Sequence, residues 1–141
     1  MSNWTHVAAI VRVDGIPGRV DLNTLATSVF GKTCLWEDDS SIWDDKEKNP
    51  DKYLYMGSEG SLQMSVWKEP DDGCMCLGSI SIFGDLRDDY DAQAVVDWFQ
   101  KCLSKLDMDK QDYPAFVRQA TITADNEWNG TVNWTYSRKD D

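Results

Sequence analysis

Histidine occurs once in these 141 residues, at His6. A Ser or Cys nucleophile would therefore have only that ring as its usual base. His6 stands in an alternating segment beside Trp4 and Ala8, where a lone imidazole reads as a surface or packing residue. Basic residues are also scarce, 14 Lys and Arg against 25 Asp and Glu, for a formal net charge of −11 and a pI near 4.4. Binding to a phosphate backbone needs cations that displace counterions, so direct contact with DNA or RNA is not expected. No apolar run approaches the ~18 residues of a membrane span. The opening MSNWTHVAAIVRVDG lacks a basic leader region and predicts no secretion signal. Cysteine is limited to Cys34, Cys74, Cys76 and Cys102. Cys74-x-Cys76 lacks the two-residue spacing of a zinc knuckle, and no second histidine could complete a site. Reduced, buried thiols in a cytoplasmic protein are expected, with no metal or cofactor.

What is present suits one domain over 1–141, large enough to bury a core unaided. Residues 4–14 alternate, with Val7, Ala9, Val11 and Val13 on one face, as in a half-buried strand. Asp21 can cap a helix whose Leu22, Leu25, Ala26, Val29 and Phe30 share one stripe, and Gly31 suits its C-terminal cap. Residues 61–69 and 74–83 read as a hairpin about the turn Pro70-Asp71-Asp72-Gly73. The acidic stretch 85–91 (DLRDDYD) supplies a helix start, and Ala92, Val95, Val96, Phe99, Cys102, Leu103 and Leu106 form a broad helical stripe. Residues 116–136 make a second hairpin about Asn126–Gly130.

The order β-α-β-β-α-β-β resembles the ferredoxin-like superfold, an α+β two-layer βαββαβ sandwich, with an additional C-terminal strand. That resemblance implies an antiparallel sheet with two helices on one face. The other face would be partly solvated, in keeping with Gln63, Ser79, Ser81, Thr121 and Thr123. Between the first helix and the second strand lies an acidic, Trp-containing insertion loop, 36–53, where the superfold needs only a short connection.

That insertion, WEDDSSIWDDKEKNPDKY, sets seven acids and three lysines around two tryptophans. Trp is among the rarest residues in globular domains, and this chain has seven. Aromatic anchors within polar surroundings are how binding hot spots look. The expected partner-binding set is Trp36, Glu37, Asp38, Asp39, Trp43, Asp44, Asp45 and Glu47, with Asp85, Asp88 and Asp89 from the second cluster. An acidic field attracts a basic protein surface and speeds the encounter. One form of such binding is nucleic-acid mimicry, in which carboxylates imitate phosphates before a nucleic-acid-binding enzyme. In size and charge the chain is similar to small phage-encoded anti-restriction and anti-CRISPR proteins. Two other readings compete. The aromatic sheet face or a strand edge could pair copies into a larger assembly or homo-oligomer. Alternatively Asp14, Asp71 and Asp72, at one end of the sheet, could hold Mg²⁺ for phosphoryl transfer as in palm and cyclase domains. Asp-Asp beside Pro and Gly is more simply a turn, so a non-catalytic binding role is expected.

Overall fold

The computed structural model describes residues 2–15, 21–35, 37, 39–69, 76–107 and 115–138. Strand β1 (Trp4–Asp14) buries Val7, Ala9, Val11 and Val13 and exposes His6, Ala8, Ile10 and Arg12, as a period of two dictates. It is the middle strand of the main sheet. The strands β5 (Cys76–Arg87) and β6 (Phe116–Asn126) flank it, and β4 (Gln63–Lys68) and β7 (Gly130–Ser137) lie at the edges. The order is β4-β5-β1-β6-β7, antiparallel at every pairing.

Two helices cover the buried face. In α1 (Leu22–Phe30), Asp21 accepts from the Asn23 N–H at 3.1 Å and from the Thr24 hydroxyl at 2.8 Å. In α3 (Ala92–Asp107), the Asp91 carboxylate accepts from the Ala94 N–H at 3.1 Å, an N-terminal cap. Phe30 stacks on Phe99 with ring centroids 6.1 Å apart, and Phe99 meets Trp134 edge-on at 6.1 Å. Leu22, Leu77, Ile80, Ile82, Leu86 and Ile122 are fully buried around them. Each such side chain contributes about 1.5–3 kcal/mol by leaving water.

Three features depart from the sequence reading. Among the described residues there are seven strands and three helices, where five and two were expected. The extra strands form a short ribbon of β2 (Met56–Gly57) and β3 (Gly60–Ser61). The stretch 36–53, expected as a loop, contains helix α2 (Ser40–Lys48) and a 3-10 turn, Pro50–Lys52. The acidic stretch from Asp85 does not begin as a helix start. Its first three residues continue β5, because Leu86 extends the inward series of Ile80 and Ile82.

The α2 excursion is closed at its base by the backbone. Lys32 N–H donates to the Lys52 carbonyl at 2.9 Å, Leu54 N–H to Lys32 at 3.0 Å, and Ser61 N–H to Cys34 at 2.7 Å. Gly31 is needed there. Its φ of 98° is left-handed, and a Cβ would lie 2.4 Å from the Tyr53 carbonyl carbon.

Cys34 and Cys102 are buried, and burial pushes the Cys102 thiol up to about 11. Cys74 lies outside the described residues. No described helix is long and apolar enough to cross a membrane.

Two substitutions probe this packing. Gly31→Ala should cost about 1–3 kcal/mol from backbone strain alone, with the clash adding to it. Phe99→Ala should cost about 3–5 kcal/mol through the cavity it leaves. Both are read from urea unfolding midpoints at unchanged slope.

Candidate functional site

Antiparallel pairing puts the start of β1 beside the ends of β5 and β6, since Trp4 opposes Arg87 and Thr5 opposes Asn126. Acidic residues far apart in the chain meet at this end of the sheet. His6 stands between two of them, its Nδ1 2.6 Å from Asp85 Oδ1 and its Nε2 3.5 Å from Glu127 Oε2. The other Glu127 oxygen accepts from the Trp4 N–H at 3.1 Å. Asp125, the cross-strand neighbour of His6, accepts from the Thr131 hydroxyl at 2.7 Å. The hydrogen bond to Asp85 raises the His6 pKa, partial burial opposes it, and Glu127 adds to the rise.

A buried polar knot fixes this end. The Thr5 hydroxyl donates to the Asp89 carbonyl at 2.8 Å. Asn126 Nδ2 donates to the same carbonyl at 2.7 Å, and Asn126 Oδ1 accepts from the Trp128 and Asn129 N–H groups at 3.0 and 2.9 Å. The knot ties β1, the start of α3 and the β6–β7 turn together. Buried polar groups tolerate such a place only when paired in this way.

Beside it is a cleft of about 410 Å³ whose walls include Glu37, Glu59, Asp85, Trp4, Leu35 and Phe83. It brings Glu37 of the first acidic stretch to Asp85 of the second. Glu59 arrives on the β2–β3 turn and is ion-paired with Arg87, whose Nε donates to the Ser2 hydroxyl at 2.9 Å. Gly57 lets this ribbon abut β5, because a Cβ there would lie 2.8 Å from the Arg87 carbonyl oxygen. Carboxylates above aromatic and aliphatic walls suit a lysine or arginine side chain, whose stem packs on the walls while its charge meets the acids.

The other predicted residues divide by what they touch. Trp36 and Asp38 lie outside the described residues. Asp39 caps α2, accepting from the Ser41 N–H at 2.6 Å, and Ser41 holds its pKa below the ordinary value. Asp45 accepts from the Tyr53 hydroxyl at 2.6 Å and from Asn49 Nδ2 at 2.9 Å, and these bonds lower its pKa. Trp43 is half-buried, while Asp44 and Glu47 are exposed. Asp88 has a left-handed φ of 56° and accepts from the Ser58 hydroxyl at 3.3 Å. Asp89 is buried, and its carboxylate accepts from the Asp91 N–H at 2.9 Å. Tyr55, pushed up to about 12 by burial and then by Asp89, packs nearby. Of the metal-binding set, Asp14 accepts from Arg118 Nε at 2.7 Å, and Asp71 and Asp72 lie outside the described residues. Among the described residues no three His, Cys, Asp or Glu side chains converge as metal ligands.

Glu59, Glu127 and the exposed aromatic pair Tyr90–Trp128, with centroids 5.8 Å apart, were absent from the sequence reading. The strand order held a signal for two of them. It places the β6–β7 turn, hence Glu127 and Trp128, at the same end as 85–91.

The sheet face away from the helices carries Gln63, Ser65, Ser79, Ser81, Thr121 and Thr123, and it is crossed by Ile10, Trp67 and Phe83. These three are 47%, 55% and 42% exposed, and no described helix packs over them. Trp98 and Trp134, by contrast, pack on the helix side against the core.

No protein-family model, curated protein or solved structure matches this chain.

His6 should titrate above its ordinary 6.5 in a proton NMR experiment, and Asp85→Asn should bring it down. Since the folded value lies above the unfolded one, the stability His6 contributes is fully present below about 6.5. It is lost as pH rises through the folded value. Unfolding midpoints for the wild type and His6→Gln should therefore converge on the alkaline side.

Proposed function

We propose that the chain is a non-catalytic acidic binding protein that engages a basic surface of a partner protein. The observation that supports this reading is the cleft where Glu37, Glu59 and Asp85 meet against Trp4, Leu35 and Phe83. Two acidic stretches separated by about a third of the sequence share one surface there, which simple solubility does not require. Asp44 and Glu47, on the exposed side of α2, extend the field. A partner whose own ligand is nucleic acid fits best. Carboxylates would stand in for phosphates in its groove, in the manner of the anti-restriction and anti-CRISPR proteins that the chain resembles in size and charge. In fold, we infer a ferredoxin-like sandwich extended by β7 and interrupted by the α2 excursion and the β2–β3 ribbon. The strand order and the two helices packed on one face support that inference.

A second reading is favoured by the exposed Ile10, Trp67 and Phe83: a subunit that pairs through the open sheet face. Light scattering separates the two. A stable dimer lost on Trp67→Ser with Phe83→Ser would support assembly, and a monomer would exclude it.

The primary reading is tested by capture from host lysate at low and high salt, comparing the wild type with Glu37→Gln/Glu59→Gln/Asp85→Asn. Basic proteins should be retained at low salt and released at high salt. The captured partner should bind the triple variant about 3- to 100-fold more weakly, the sum of three exposed charge contacts. Equal retention by both proteins, or indifference to salt, would refute the reading.

A further inference from the structure

At the base of the α2 excursion the lining charges are mostly positive. Lys32, Lys48 and Lys52 line a single concavity of about 580 Å³ together with Ser28, Asn49 and Asp51. That size lies within the ordinary range of small-molecule sites. The backbone fixes the arrangement. The bonds from Lys32 N–H to the Lys52 carbonyl and from Leu54 N–H to the Lys32 carbonyl make Lys32 the bridge partner of Tyr53, and Lys52 precedes Tyr53 in the chain. Asn49 N–H donates to the Asp45 carbonyl at 2.7 Å at the end of α2, so Lys48 closes the same rim.

In a chain with 25 acids and 14 bases, a lysine is expected to find a carboxylate of its own chain. Lys52 does so, at 3.5 Å from Asp45. Among the described residues Lys32 and Lys48 do not. Lys32 instead lies 5.2 Å from the Tyr53 ring centroid. The dipoles of α1 and α2 account for one cation near each C-terminus, a contact of modest strength. They do not account for three ammonium groups around one hollow. Carrying them there has a cost in mutual repulsion that an anion would remove.

We propose that this concavity is a binding site for a compact phosphate-bearing solute. Lys32 and Lys48 neutralise two of its charges, and the Ser28 hydroxyl donates a hydrogen bond. Lys52, already held by Asp45, contributes the third positive edge. The site is distinct from the acidic cleft and does not depend on it. A polyanion of at least two charges is selected over chloride, because two unpaired ammonium groups act together.

Calorimetric titration of the full chain with pyrophosphate at low ionic strength tests this. Saturable binding is expected in a background of chloride. Lys48→Gln, at an exposed helix end, should weaken it about tenfold, the loss of one charge-assisted contact. Lys32→Gln should do the same. The control Lys101→Gln/Lys105→Gln, on exposed positions of α3, should bind as the wild type does. Circular dichroism melts check that each variant is folded. Absence of saturable heat, or an equal loss in the α3 control, would overturn the proposal.

Discussion

The burial of Val7, Ala9, Val11 and Val13 in the one core they share with α1 and α3, while their alternate neighbours face away, is the constraint on which the rest of the molecule is arranged. A strand can turn only one set of side chains to a core, and β1 is paired on both edges, so its choice binds β5 and β6 as well. One face of the whole sheet then goes to the helices. The other is left to His6, Ile10, Arg12 and their cross-strand partners. The two surfaces considered above inherit this division. The open face is left because no described helix packs over it. The acidic end exists because antiparallel pairing returns β5 and β6 to the start of β1.

Where periodicity was strong the sequence was a good guide, and where it was weak it was not. Trp4–Asp14 and Leu22–Phe30 were legible almost to the residue, because alternation and a capped stripe have few alternative readings. Helix α2 has no buried residue, and SSIWDDKEK shows no apolar stripe. Its surviving signals were local: the Asp39 cap, and Lys46 and Lys48 in its last turn. Contacts from the Tyr53 hydroxyl and the Lys52 ammonium to Asp45 help tie it to the body, and no spacing rule reveals them. The β2–β3 ribbon has two-residue strands, too short for any period. The extension of β5 through Asp85–Arg87 was masked by charge, although Leu86 keeps the inward series intact.

The site was legible in composition and not in assembly. Acid counts singled out 37–51 and 85–91, yet counting treats all carboxylates alike. In the folded chain Asp39 and Asp91 cap helices, Asp45 ties down α2 and Asp89 sits in a buried knot. Glu37, Asp44 and Glu47 are exposed, and none of these three is a cap. An acidic stretch therefore mixes residues that build the surface with residues that can act from it. Glu59 joined the cleft through the ribbon, a contact set by Gly57 and by the end of β5 rather than by any acidic run.

The central place of β1 also bears on how the chain acquires its shape. Val11 pairs with Ile80 on one side and with Ala120 on the other. A chain synthesised from its N-terminus thus presents VAAIVRV long before either neighbour exists. Closing both pairings requires loops of this length to form before their contacts stabilise them, which slows folding in proteins built from distant strand pairs. Until then an apolar, β-prone segment stays open to other chains. The net negative charge of the chain opposes close approach of other copies during that interval.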